Sequence, residues 1–361
     1  FGTAQLGQLY RVQLFSSNNI TSIKPSNSGE GEFITYFHLD EDNTNFLYFP
    51  IEDTLYRTNS SAAVTSTGWT RMDGVHSALN SSIFSMAATR GDYTANSYLF
   101  MGTADGKVYR LKDPQGADPA TQPTDITPAT MPANSIVLDM AVNPRNHDTV
   151  MAVISNYGVE GVFWTGNATS ATPVWQRVQG NINLPSKRSC AIVAKTTGVE
   201  YYVGTSVGLF STTNINGTST VWAREAGGPM TTAIVNSLAY RWTDNTLLVG
   251  THGNGMFAAY IGNAINIPTG INDPIRNDKN FIKTAFPAVT NNNISYQVGN
   301  MFTVKRLSIQ VSNMAGQIVY NKETGYQNGN VTVGNLPNGA YILTITSRDR
   351  KYQFVRQFIK S

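Results

Sequence analysis

Apolar and polar residues alternate along most of this chain, while helical periodicity is almost absent. Short apolar runs bounded by Gly, Asn, Asp and Thr predict β-strands joined by tight turns. Three runs align: Tyr98-Leu99-Phe100-Met101-Gly102-Thr103, Tyr201-Tyr202-Val203-Gly204-Thr205 and Leu247-Leu248-Val249-Gly250-Thr251. Each continues through a turn holding another Gly into a further strand. Diverged copies start at Phe46 and at Val150. A shorter apolar strand precedes each, over 34–39, 83–87, 136–142, 190–194 and 235–240. Trp69, Trp175 and Trp222 follow three of the units, and the second unit has none.

The unit length is about 50 residues, with four short strands in each, which is the spacing of propeller blades. A Gly at the strand end lets neighbouring backbones crowd together. Before the first unit, the stretch from Gly7 to Phe15 reads as the end of another blade. The expectation is an all-β chain with a β-propeller over 1–262. Five units and a remnant suit part of a larger propeller in a longer parent chain. A Pro-, Gly- and Asn-rich linker is expected over 263–280. A small antiparallel β-sandwich is expected over 281–361, with strands near 294–298, 307–311, 318–320, 331–333, 340–346 and 353–359.

Three phrases stand out in that last segment. The first is Asn313-Met314-Ala315-Gly316-Gln317-Ile318-Val319, and the second is Leu336-Pro337-Asn338-Gly339-Ala340-Tyr341-Ile342-Leu343. The third is the basic finish Gln357-Phe358-Ile359-Lys360. Pro presets φ in the second phrase, and Asn or Gly accepts the positive φ that follows. In this order, at the end of the chain, they resemble the C-terminal sorting domain of proteins exported by the type IX secretion system of Bacteroidetes. Phe286-Pro287-Ala288 stands where that family has Asn-Pro.

The resemblance implies export through the periplasm and outer membrane to the cell surface or medium. The implied partners are an outer-membrane translocon and its shuttle protein, with a sortase-like enzyme where the protein is attached to the surface. Gly316, Gln317, Leu336, Pro337, Gly339, Tyr341 and Lys360 are the matching motif residues.

The repeats from Val203 to Thr212 and from Val249 to Phe257 resemble sortilin-type and neuraminidase-repeat propellers, a group that includes xyloglucan-cleaving glycosidases. The Asp box of that group is eroded, with Thr212-Thr213-Asn214 in its place. This likeness leaves two main functions open. One is a binding or adhesion module for polysaccharide or protein, and the other a glycoside hydrolase of the xyloglucanase type. A third reading is a spacer.

Composition agrees with an exported β-protein: charged residues are only 14% and Gly numbers 31. The chain opens at Phe1 with neither Met nor a signal peptide, as expected of a processed or trimmed end. The net charge of +3 is uneven, with eleven Lys and Arg against four Asp and Glu from Thr269 onward. A basic β-domain accounts for this better than nucleic-acid binding does, because basic–aromatic interleaving is missing. The lone Cys190 rules out an intramolecular disulfide and reads as a core residue.

Chemistry is sparse. His38, His76, His147 and His252 show no metal-ligand spacing, and no cofactor is expected. Glycoside hydrolysis needs two facing carboxylates. Asp42, Asp53, Asp105, Asp139 and Asp244 are candidates that nothing in the sequence pairs. An enzyme is therefore the less favoured reading, and no catalytic residue is assigned. Asp139, inside an apolar strand, is expected to be buried and hydrogen-bonded. Asp53-Thr54-Leu55 and Asp148-Thr149-Val150 resemble the O-glycosylation pattern of Bacteroidetes, which marks Thr54 and Thr149 as candidate glycan sites.

Overall fold

A computed structural model describes residues 1–12, 19–183, 185–225, 232–242, 244–262, 276–277, 281–283, 289–299, 306–314, 316–347 and 352–361. Contacts divide the chain into two compact units, Phe1–Asn266 and Ile267–Ser361. Most of the expected linker lies outside the described residues, as does Phe286-Pro287-Ala288. No helix among the described residues is long and apolar enough to cross a membrane.

In unit 1, the repeats become separate antiparallel meanders. A three-stranded sheet comes first, with β1 (Gly2–Ala4), β2 (Gln8–Val12) and β3 (Ile20–Ser22). Blade 1 holds β4 (His38–Leu39), β5 (Leu47–Ile51), β6 (Thr54–Thr58) and β7 (Thr70–Met72). A short helix, α1 (Asp73–Ala78), leads into blade 2, with β8 (Ile83–Ala88), β9 (Tyr98–Thr103), β10 (Val108–Lys112) and β11 (Thr124–Asp125). Blade 3 holds β12 (Val137–Asn143), β13 (Asn146–Ile154), β14 (Val162–Thr165) and β15 (Trp175–Arg177). Blade 4 holds β16 (Lys187–Lys195), β17 (Gly198–Thr205), β18 (Gly208–Thr212) and β19 (Ala223–Arg224). Blade 5 has three strands among the described residues, β20 (Ile234–Arg241), β21 (Thr246–His252) and β22 (Met256–Tyr260).

Apolar residues from successive blades interleave, so each blade packs its face on the next. Phe100 and Val108 meet Val137 and Val150, Met151 and Val162 meet Ile192 and Val203, and Val193 and Tyr202 meet Val235 and Leu247. Leu9 and Ile23 of the first sheet pack on Leu47 and Phe49 of blade 1. This is a β-propeller arrangement, and its core is a series of apolar layers between blades.

The anchor glycines have a steric reason. Gly102, Gly204 and Gly250 face Ser85, Ser189 and Ser237 across the first two strands of their blades. A Cβ at Gly204 would run into Ser189 Oγ and come within 2.5 Å of Val235 Cγ1 in the next blade. In blade 3 the pair is replaced by Asp139 opposite Val153.

Two hydrogen-bonded staples recur between blades. Trp69 Nε1 donates to Ile23 O, Trp175 Nε1 to Ile126 O and Trp222 Nε1 to Val178 O, at 2.7–2.8 Å. Each acceptor lies just past the last strand of the preceding sheet. The second staple is Arg11, Arg57 and Arg110, in the strand sequences Leu-Tyr-Arg or Val-Tyr-Arg. Arg57 reaches Pro114 O and Ala117 O at 2.6 and 2.5 Å, and Arg110 reaches Ala168 O and Ser170 O. Arg57 thus ties blade 1 to blade 2 where no Trp is available.

Two elements differ from expectation. The strand expected over 34–39 pairs only at His38–Leu39. His38 faces Tyr48, so the ladder extended outward would bring Tyr36 opposite Pro50, which has no N–H to give. The connection between blades 1 and 2 includes α1, whose Val75 is sealed in the layer between those blades.

Unit 2 is a sandwich. One sheet runs β23 (Arg276–Asn277), β31 (Tyr352–Lys360), β30 (Gly339–Ser347), β27 (Leu307–Asn313) and β28 (Ile318–Thr324), and β25 (Val289–Thr290) also pairs with β31. The other runs β24 (Ile282–Lys283), β26 (Asn293–Val298) and β29 (Asn328–Thr332). Alternate residues such as Tyr341, Leu343 and Ile345 point into a core shared with Ile294, Val331 and Phe358.

Candidate functional site

The three phrases of the tail lie far apart in sequence but meet at one end of one sheet. Asn313 pairs with Tyr341, and Gly339 pairs with Lys360. The end of β27, the start of β30 and the end of β31 are therefore neighbours. The β27–β28 hairpin turns at Gly316, whose φ of +82° suits glycine. Gln317 N donates to Asn313 Oδ1 at 3.0 Å, which holds the hairpin closed. In the second phrase, Leu336 packs against the core and its N–H bonds Val333 O at 3.0 Å. The Tyr341 hydroxyl donates to Pro337 O at 2.8 Å, and its ring stacks on Phe358. Pro337, Gly316 and Gln317 are exposed. Lys360 is buried, with Nζ donating to Asn338 Oδ1 and to Ser361 O.

A family model for the secretion system C-terminal sorting domain matches residues 285–361. The tail is a type IX sorting domain. A protein carrying this sorting domain is exported to the cell surface or extracellular space.

No curated protein matches the chain in sequence. Among solved structures it is similar to PorZ of Porphyromonas gingivalis, described as an essential surface component of the type IX secretion system (12% identity, TM-score 0.37). That match covers 97% of this chain and 62% of PorZ. It is also similar to YCF48 from Cyanidioschyzon merolae (13%, TM-score 0.47), with 70% of this chain and 74% of that one covered. An ancestral GH74 enzyme gives 12% and 0.46, with 92% and 47% covered. At these identities and scores the likenesses decide nothing about function.

In unit 1, the first strands of blades 2 to 5 wall two cavities, and the segment leading into β4 completes one wall while β4 completes the other. The larger, about 460 Å³, is lined by Tyr36, Phe37, Phe84, Asp139, Arg188 and Asn236 among others. The smaller, about 260 Å³, has His38, Glu41, Arg90, Asp139, Cys190 and Tyr240 in its wall. Asp139 borders both. Its Oδ1 accepts from Met140 N and its Oδ2 from Cys190 N, each at 2.9 Å. Burial pushes this carboxyl up to about 7, against the pull of those two N–H groups. Arg188 Nη1 reaches Asn236 Oδ1 at 3.3 Å, while its Nε is buried without a partner. Cys190 is buried as expected, and burial raises its thiol well above the usual range.

The other acidic candidates hold separate structural posts. Asp42 accepts from Arg90 Nε at 2.9 Å, Gly91 N at 2.5 Å and Trp242 Nε1 at 2.9 Å, joining the hairpins of blades 1, 2 and 5. Asp53 meets His76 Nδ1 at 2.8 Å, Asp105 accepts from Thr103, and Asp244 from Arg241. The Thr54 hydroxyl and the Asp53 carboxylate share the same nitrogen of His76, so the three do not form a charge-relay chain. His147 Nε2 lies 3.1 Å from Arg90 O, and His252 is exposed at the end of β21. No group of three or more His, Cys, Asp or Glu suited to a metal exists among the described residues.

Thr54 and Thr149 are both buried within strands, 7% and 6% exposed. A glycan at either therefore requires attachment before the strand is sealed.

The sequence reading missed Arg188 and the two staples. The repeated Tyr-Arg pairs, and the ten-residue spacing of Thr165 to Trp175 and of Thr212 to Trp222, were the available signals. The Thr212 hydroxyl accepts the N–H of Asn214, so the eroded Asp box keeps its turn.

Proposed function

We propose that the propeller is a binding module which the sorting domain delivers outside the cell. The observation carrying the binding reading is the 460 Å³ cavity. It lies within the usual size range for ligand sites, and aromatic walls there converge with Arg188 and Asn236. The propeller's loops are presented to a polysaccharide or protein ligand. The β1–β3 meander repeats the later strands of a blade, which supports a place in a larger propeller.

For export, Gly316, Gln317, Pro337 and Gly339 present one edge to the outer-membrane translocon and its shuttle protein, and Leu336 and Tyr341 hold that edge from the core beneath. Gly and Pro act there by shaping the turns. A sortase-like enzyme is the partner if the protein is retained on the surface of a Bacteroidetes host.

The second reading, a glycoside hydrolase, draws on Asp139, whose raised titration suits a general acid. Glu41 is the other carboxylate in the wall of the smaller cavity. Two assays separate these readings. A glycan-array signal without turnover supports binding, and release of reducing sugar supports hydrolysis. Intact mass of the protein from cells and medium then reads both tail removal and any glycan on Thr54 or Thr149. Removal of 281–361 is expected to leave the protein in the periplasm, and its normal secretion overturns the export reading.

A further inference from the structure

Lys360 lies in the motif that resembles a basic export signal, yet its side chain is withdrawn from solvent. It is 7% exposed, whereas Lys322 and Arg356 of the same sheet are exposed. Its Nζ donates to Asn338 Oδ1 at 3.3 Å and to the Ser361 backbone oxygen at 2.7 Å. Asn338 belongs to the turn Leu336-Pro337-Asn338-Gly339, so the ammonium joins the second and third phrases of the sorting signal. The backbone at Lys360 is flanked on both sides. Gly339 pairs with it from β30, and Thr290 pairs with it from β25. Ser361 N then donates to Thr290 O at 3.1 Å.

A buried ammonium is costly unless its donors are satisfied, and here the Asn338 amide oxygen and the Ser361 main-chain oxygen satisfy two of them within the domain itself. Such an arrangement suits a device that fixes local shape, because a charge meant for an acidic partner is better left in water.

We propose that Lys360 is a positioning residue for export: it clasps the last strand to the Leu336–Gly339 turn, and the machinery reads the clasped geometry. This rests on the sorting reading of the tail. The positive charge itself is not what the machinery contacts.

The test uses the full chain expressed in a type IX-secreting host, with the protein quantified in medium and periplasm. Three variants separate shape from charge. Lys360→Met keeps the apolar stem and removes the donor; its export is expected to fall about tenfold, the scale of one hydrogen bond from a charged group. Asn338→Asp turns the acceptor into a carboxylate and quenches the charge while keeping the clasp, so export is expected to hold. The exchange of Lys360→Asn with Asn338→Lys rebuilds the contact in reverse and is expected to export better than either single change.

Loss of export in Asn338→Asp, at a melting temperature equal to that of the parent, would show that the machinery reads a free charge. Normal export of Lys360→Met would remove the positioning role. Failure of the exchange to exceed its single variants would do the same. The truncation lacking 281–361 serves as the separate control, because its secretion would overturn the sorting reading itself.

Discussion

The Asp139 carboxylate accepts the backbone N–H of Cys190 at 2.9 Å, across the boundary between blades 3 and 4. Equivalent positions in blades 2 and 4 carry Ser85 and Ser189, and Ser85 Oγ donates to Val137 O at 2.7 Å across the preceding boundary. Blade 3 thus carries an ionisable group at the position where blade 2 bonds the next blade through a hydroxyl, whereas the Ser189 hydroxyl of blade 4 is buried without a partner.

Stability should record that difference. Burial pushes Asp139 up to about 7, while an unfolded aspartate titrates near 4. The folded state therefore holds the proton more tightly. This contribution is full below about pH 4 and is lost as pH rises through 7; because Asp139 is half-buried and lines two cavities, the loss stays below about 4 kcal/mol. Asp139→Asn is expected to remove it. Urea midpoints at pH 5 and pH 8 check this, and a parent with the same slope as the variant would contradict it.

Trp222→Phe keeps most of the buried ring and deletes the 2.7 Å bond to Val178 O. The expected cost is about 1–2 kcal/mol, because the carbonyl is left inside without a donor. Trp222→Ala, at a site only 2% exposed, should cost about 3–5 kcal/mol through the cavity it leaves. Chemical denaturation of both variants measures the two terms separately.

Arg57→Met should be as harmful as its position is inconspicuous. Two carbonyls of blade 2, Pro114 O and Ala117 O, lose their donor together. A loss of about 3 kcal/mol is expected. Hydrogen exchange should show the effect in both blades 1 and 2, since the staple joins them. An effect confined to blade 1 would argue against that role.

Gly204→Ala places a methyl against Ser189 Oγ and Val235 Cγ1 and is expected to cost about 1–3 kcal/mol. Gly2→Ala, with nothing within 4 Å, is the matched control and should be silent. Thermal melts of the pair report the difference.

In the sorting domain, Tyr341→Phe deletes the 2.8 Å bond to Pro337 O and leaves the stack on Phe358. A loss of about 1 kcal/mol is expected. Export should fall with it if the turn must be held in place, and secretion unchanged from the parent would show that the hydroxyl is dispensable.

Much of this was legible before any coordinate. Strand–turn–strand alternation marked the repeats, since side chains alternate faces with a period of two. The turn residues of the tail marked its hairpins for the same local reason. Asp139 was expected to be buried and hydrogen-bonded because its neighbours in β12 are apolar; it is hydrogen-bonded but only half-buried, because it borders the two cavities. The shortened β4 was not legible, because the missing donor is Pro50, on a different strand. The Trp and Arg staples were legible only on the donor side, in the repeated Tyr-Arg pairs and the Thr-to-Trp spacing, because their acceptors are backbone carbonyls and leave no trace in side-chain identity.

The sequence alone determined the all-β class, the repeat and the sorting tail, because strand period, turn chemistry and motif order are local properties. Only the tertiary structure decided which residues meet. Successive blades pack face to face, and that packing brings the first strands of blades 2 to 5, with β4 and the segment before it, around shared cavities with Asp139 in their wall. Strand register decided that Gly339 lies beside Lys360 and Asn313 beside Tyr341. Register is a relation between distant segments, fixed by which apolar faces are buried together, and no single stretch of the chain carries it.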